Sequence, residues 1–353
     1  MHMADALLSP AVGGAMWAVS GGTLAYCAKK VRDELDDRKV PLMGVLGAFI
    51  FAAQMINFSI PATGSSGHLG GGLLLTILLG PHAAFITIAS VLVVQSLFFA
   101  DGGILALGCN IFNMGVFPAF IAYPLIYKKI AGDQSSHSRI TIGAIVAAAV
   151  GLQLGAFGVV LETVLSGISS LPFSTFMVLM QPIHLAIGVV EGMVTAAVVS
   201  FVYKARPEVL TGVAGAQPTG DRPVRNLLIV FLAAALLTGG FFSWFASEHP
   251  DGLEWSIAKV TGKEEVETAR DELHDTTATI QEKTSFLPDY SFKKPENAEA
   301  PAAVVKTGGA SAAGETVEDG RLGTTVSGII GAVITLGMAL IAGFLLKKRR
   351  QST

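Results

Sequence analysis

Apolar runs of membrane-crossing length alternate with short polar breaks along most of this chain. They lie near residues 6–28, 41–58, 69–81, 83–100, 104–127, 140–166, 176–203, 226–246 and 325–346. A hydrocarbon core of about 30 Å takes about 20 helical residues to cross. The pattern therefore predicts an all-α integral membrane protein. The third run is too short for an ideal crossing and meets the fourth at Gly80-Pro81-His82, so the two could be merged into one pass.

Charge placement separates these readings. Outside the runs, Lys and Arg cluster at Lys29, Lys30, Arg32, Arg38 and Lys39, at Lys128, Lys129 and Arg139, at Lys204, Arg206, Arg222 and Arg225, and from Lys347 through Arg350. Short basic loops stay on the cytoplasmic side. Two passes over 69–100 put every cluster there, whereas one pass would put Lys128 and Lys129 outside. The expectation is nine passes, with the N-terminus outside and the C-terminus in the cytoplasm. The remaining Lys and Arg lie between residues 259 and 321, in a segment long enough to escape the rule. A cleaved signal peptide is the rival reading of residues 1–28. No basic segment precedes that run, Asp5 stands before it and the basic cluster follows it, so the end is expected to stay intact.

Composition agrees with a membrane solvent: 51% hydrophobic, 14% charged, mean hydropathy +0.58, with 40 glycines, many inside apolar runs. A net charge of -3 offers no basic surface to nucleic acid. Cys27 and Cys109 lie in apolar runs without a CxxC pattern and read as packing residues. Residues 1–204 read as a compact seven-helix bundle with short loops. Residues 205–225, rich in Pro, Gly and Thr, read as a cytoplasmic linker. Residues 226–353 form a two-helix accessory module whose extracytoplasmic loop, about 247–324, is polar and ends in a flexible Ala/Gly/Glu-rich tether at Asn297–Gly320.

The chain opens MHMADALLSP. A free α-amine at Met1, the next backbone nitrogen and the His2 imidazole can close two small chelate rings on one ion. Nitrogen donors in one plane suit Ni(II), Cu(II) or low-spin Co(II), whereas Mg and Ca want oxygen. The loop NFSIPATGSSGHLGGG offers His68 on the same outer side as a fourth ligand. Its glycines allow irregular backbone at membrane depth. Ionisable or polar groups at Asn57, Ser65, Ser66, His82, Asp101, His184 and Glu191 are candidates to orient the ligating histidines, since a metal-bound imidazole donates its other N–H to an acceptor. Glu162 is a further intramembrane carboxyl. For each of these the competing reading is a helix-packing hydrogen bond.

The start MHMADALLSP, the segment INFSIPATGSSGHLGGGLLLTILLGPHAA and the later QPIHLAIGVVEGMVTAA resemble the CbiM/NikM family, substrate-binding membrane components of energy-coupling-factor transporters for cobalt and nickel. HPDGLEW, His249 to Trp255, resembles the PDGLE signature of the NikN-type accessory component, so the chain resembles a fused NikMN protein. The resemblance implies a square-planar site at Met1, His2 and His68. It also implies transported Ni2+ or Co2+ with no resident cofactor, a bacterial-type inner (cytoplasmic) membrane, and partner subunits: a transmembrane coupling subunit and ATPases. The Met3-Ala4-Asp5-Ala6 continuation departs from the MHI start of several relatives. That leaves the donors in place and weakens any metal preference drawn from the motif. PDGLE favours nickel slightly.

No GxxxxGK[ST], HExxH or GxSxG stretch occurs, so energy must be borrowed and no enzyme is expected. Gly44, Ala48 and Ala52, at i, i+4 spacing, form a small-residue ridge that could meet the coupling subunit or a neighbouring helix of the same chain. Two rival functions remain. A membrane metalloenzyme would need an open coordination position and a base such as Glu162 or Glu191. An ion-coupled carrier would need internal repeats and paired broken helices.

Overall fold

The computed structural model describes residues 2–34, 39–132, 136–206, 210, 224–264, 266, 271–293 and 317–351. Met1, most of the linker and most of the tether lie outside these. The described chain is mostly helical: α1 Pro10–Glu34, α2 Lys39–Gln54, α3 Gly72–Leu79, α4 Pro81–Phe99, α5 Leu107–Ile111, a π-helical stretch Phe112–Tyr127, α6 Lys128–Ala131, α7 His137–Ser166, α8 Phe173–Ala205, α9 Val224–Gly240, α10 Gly252–Thr261, α11 Glu272–Thr284 and α12 Val317–Gln351. Among the described residues five helices are long and apolar enough to cross a membrane, from α4, Leu107–Ala131, α7, α8 and α12; Lys39–Gln54 and Arg225–Gly240 are shorter apolar helices. Apolar side chains face outward on several of them, with Leu165 74%, Val178 69% and Ile341 62% exposed, a surface suited to lipid. This is a multi-pass membrane architecture.

The third apolar run departs from the simplest expectation. Only Gly72–Leu79 is helical, about 12 Å at 1.5 Å per residue. The break to α4 is sharp because Gly80 takes φ +83 and Pro81 opens the next helix. Ahead of α3 the chain forms a small antiparallel hairpin that the pattern did not predict: β1 Phe58–Ile60 against β2 Ser65–Gly67, with Ser59 opposite Ser66. Serine and glycine carry no alternating apolar signal, so this pairing left no mark in the hydropathy. The strands are buried at Ile60, Ser65, Ser66 and Gly67, which is how irregular backbone is tolerated in an apolar setting.

Small residues set the helix contacts. A Cβ at Gly188 would lie 2.7 Å from the Ala149 Cα, and one at Gly192 would lie 2.3 Å from the Ile145 Cα, so α8 crosses α7 with backbones nearly touching. Gln153 Nε2–H donates to the Gln181 carbonyl across the same pair at 2.7 Å. The ridge on α2 is used inside the chain. A Cβ on Gly44 would meet Leu340 at 2.9 Å, one on Gly343 would meet Val40 at 2.6 Å, and Ala48 and Ala52 are fully buried. Gly44 thus meets α12 of the same chain and Ala48 and Ala52 are buried within it, the neighbouring-helix alternative that the sequence left open for this ridge. Phe231 of α9 packs edge-on to Phe49 of α2, rings 5.4 Å apart. The second module thus lies along α2, and its α10 and α11 fold back over the end of the bundle that carries the hairpin.

Candidate metal centre

The N-terminal segment is held extended before the short turn at Asp5–Leu7. Asn110, 2% exposed, accepts from the Met3 N–H (2.8 Å) and donates to the Met3 carbonyl (3.2 Å). The Asp5 carboxylate accepts from the Ala106 N–H at 2.9 Å. Gly102 has φ +84, and a Cβ there would meet Asn110 Nδ2 at 2.9 Å and His2 Cβ at 3.3 Å. These contacts bring His2 to the hairpin loop, where its ring stacks on His68 with centroids 4.9 Å apart and 12° between planes. The two imidazoles singled out from sequence do meet. Met1 lies outside the described residues.

Each ring is oriented. His68 Nδ1–H donates to the Leu69 carbonyl at 3.1 Å, so Nε2 is the unprotonated nitrogen of the neutral ring. Burial pushes its imidazole down from 6.5 to about 3, so it stays neutral at any ordinary pH. His2 Nδ1 lies 3.1 Å from an Asp101 carboxylate oxygen, its side chain is 6% exposed, and its Nε2 is buried with no hydrogen-bond partner among the described residues. Burial alone would raise the Asp101 carboxyl. His2, together with the Tyr290 hydroxyl that donates to its second oxygen, holds it below the usual carboxylate range instead.

The loop after His68 is pinned by its backbone. Glu191 accepts from the Gly70 N–H (2.8 Å) and the Gly71 N–H (3.0 Å), while Gln54 Nε2–H donates to the Gly70 carbonyl (2.9 Å) and is itself held by Gln95. Gly71 takes φ +76, and a Cβ would lie 2.7 Å from Ile50, so this position needs glycine. His184, 1% exposed, donates from Nδ1 to the Met180 carbonyl at 2.8 Å. Its Nε2 is buried with no hydrogen-bond partner among the described residues, and it lines a cavity with His68, Met114, Asp251 and Gly252 that has room for about one water-sized sphere.

Asp101, His184 and Glu191 therefore gather around the two histidines. Asn57, Ser65 and Ser66 do not orient the rings. The Asn57 carbonyl, the Ser65 hydroxyl and the Ser66 amide and hydroxyl all turn toward residues 247–250. His82 is not brought to the site. It sits past the far end of α3 with its ring against Tyr26 and Phe120. Glu162 belongs to a separate buried cluster, accepting from Asn113 Nδ2–H at 2.7 Å. Sequence reasoning missed Asn110 and Tyr290, which grip backbone or carboxylate and belong to no chemical motif. It also missed His274, whose Nε2–H donates to the Leu8 (3.0 Å) and Asp5 (3.1 Å) carbonyls.

Comparison with known proteins places both parts of the chain in known families. Residues 2–209 match the profile of the family described as cobalt uptake substrate-specific transmembrane region, and residues 225–348 match the PDGLE domain. A putative fused nickel transport protein NikMN of Archaeoglobus fulgidus is 37% identical over 60% of this chain and 68% of its own length. A putative metal transport protein of Haloquadratum walsbyi is 35% identical over 60% of this chain and 93% of its own. The cobalt transport protein CbiM of Geobacter sulfurreducens is 30% identical over 78% and 82% respectively. A crystal structure of a truncated transition metal transporter superposes with a TM-score of 0.52 at 32% identity, covering 58% of this chain and 99% of that one.

Proposed function

The chain belongs to the cobalt uptake substrate-specific transmembrane family, with a PDGLE domain joined behind it, and on that premise we propose that it captures Ni(II) or Co(II) for an ATP-driven energy-coupling-factor importer. The observation that carries the reading is the stacking of His2 on His68 at 4.9 Å, two imidazoles from distant parts of the chain converging beside the chain end. The donors are the Met1 amine, the residue-2 amide nitrogen, the His2 imidazole and His68 Nε2. Four nitrogens in a plane suit a d8 or low-spin d7 ion and reject Mg and Ca.

The chelate from the residue-2 amide to its own imidazole closes a small ring only through Nδ1. That nitrogen sits against Asp101, so taking the ion means giving up that contact. The amine and amide must also shed protons, and acid competes with loading. Nickel is preferred over cobalt because fused relatives such as that of Archaeoglobus fulgidus are named for nickel. Nine passes put the N-terminus and His68 outside to meet the ion, and the basic loops inside. Transport draws on a separate coupling subunit and ATPases, since no phosphate-binding loop occurs in the chain. The bound metal is cargo, and with the plane filled by four nitrogens no in-plane position is left for hydrolytic chemistry.

The test is calorimetric titration of the detergent-solubilised chain with Ni(II). An N-terminal extension should abolish tight binding while a C-terminal tag leaves it unchanged. His2→Ala and His68→Ala should each lose about 100-fold or more. Equal affinities for the two tagged chains would overturn the terminal chelate.

A further inference from the structure

The hairpin that leads into His68 has strands of three residues each, too few to hold themselves together. What holds it comes from the second module. Ser247 N–H donates to the Asn57 carbonyl (2.7 Å), and the Ser247 and Ser59 hydroxyls share a hydrogen bond (2.8 Å). Ser66 donates its N–H to the Pro250 carbonyl (2.8 Å) and its hydroxyl to the His249 carbonyl (2.7 Å). The Trp255 indole N–H donates to the Thr63 carbonyl at 3.0 Å. The base, the second strand and the tip of the hairpin are each tied to residues 247–255.

That segment is itself rigid. The Asp251 carboxylate accepts from the Leu253 and Glu254 N–H groups (2.8 and 2.9 Å), and Glu254 accepts from the Asp251 N–H (3.0 Å), a reciprocal cap on α10. Gly252 lets the turn descend onto the site, because a Cβ there would lie 2.7 Å from Ile183 Cγ2 and 3.0 Å from His184 Cε1. Asp251 and Gly252 thereby form one wall of the small cavity that His68 and His184 also line. The order Pro-Asp-Gly-Leu-Glu follows: a carbonyl for Ser66, a cap, a close approach, a buried anchor at Leu253 (2% exposed) and the reciprocal acceptor.

We infer that residues 247–255 are a latch over the cation loop, with Gly252 and Trp255 as positioning residues that set how long a bound divalent cation is retained. The inference rests on the Ni(II)/Co(II) site proposed above. Opening the His68 side of the site outward requires lifting the turn at Pro250–Gly252, which breaks the bonds from Ser66. In this arrangement the accessory module acts on the residence time of the ion.

The test loads the full-length chain with one equivalent of Ni(II), chases with excess EDTA and follows the metal absorbance band. Two variants are compared with the unaltered chain: Ser66→Ala/Trp255→Phe, which removes two donors without adding volume, and Gly252→Ala. Release is expected to accelerate about fivefold or more in each, roughly the effect of one lost hydrogen bond, with the band unchanged because the donors are unchanged. Release at the native rate from both variants overturns the latch. A parallel His68→Ala chain reports on the site itself: native-like loading there would remove the site, and that result is read separately from the latch variants.

Discussion

Both carboxylate oxygens of Glu191 are taken by loop backbone, at the Gly70 and Gly71 N–H groups, and neither reaches a histidine. It fixes the backbone that follows His68, which on the proposed reading holds the His68 ring in one place. Gln at this position keeps one acceptor and sets an NH2 group against the other N–H. Glu191→Gln should therefore weaken Ni(II) binding by about 10- to 100-fold, the usual effect of disturbing what orients a ligand, while a titration still gives one ion per chain. An unchanged affinity would mean that the loop is fixed without it. His2 and His68 stood out in the sequence for the chelate they could close, and Asp101, His184 and Glu191 because ionisable groups in apolar surroundings ask for a reason; in the structure the two rings meet and Asp101 lies beside His2. Asn110 and Tyr290 did not stand out, since an amide or a phenol in an apolar run suits ordinary packing as well. His82 was offered with two readings, a role in orienting the ligands or packing at the helix break, and its ring lies against Tyr26 and Phe120.

At the scale of elements, the apolar runs correspond to helices because period and length survive in hydropathy, and even the weak third run proved to be the short α3. The β1–β2 hairpin was hidden, since its serines and glycines pair by backbone alone. The α11 helix was hidden as well in its role, because a polar amphipathic stretch looks like a solvated surface. It instead carries His274 onto the N-terminal segment. Nε2–H donates to the Leu8 and Asp5 carbonyls and Nδ1–H to the Asp271 carboxylate (2.7 Å), an arrangement that needs both nitrogens protonated. Burial opposes that charge, but the Asp271 hydrogen bond and the two carbonyls outweigh it, and the imidazole is raised above its ordinary value. The contribution to stability is then complete below about pH 6.5, the unfolded value, and is lost as pH rises through the raised folded value. His274→Gln should lower the thermal midpoint most near pH 6, and the gap from the unaltered chain should close on the alkaline side. A gap that does not vary with pH would mean that the ring is held neutral.

At the scale of the molecule, two modules could be read from the polar linker, but not how they meet. A ridge of small residues carries no address: it admits any helix with a matching surface. Gly44 on the α2 ridge packs against Leu340 of α12, and a Cβ added to Gly331 of α12 would fall 2.0 Å from the Phe51 ring. That contact is expected to keep the PDGLE module over His2 and His68 once the linker no longer tethers it. A chain cut by an inserted protease site between residues 211 and 220 should therefore still co-purify as two halves. Gly331→Leu forces a branched side chain into the Phe51 contact, an overpacking cost of about 1–3 kcal/mol, and should let the cut halves separate in detergent. The same separation should speed Ni(II) release from the first half, because the turn at Pro250–Gly252 leaves with the second. If the Gly331→Leu halves stay together, the α9 contact at Phe49 and the hydrogen bonds from residues 247–255 are sufficient to hold the modules, and the α2–α12 seam is dispensable.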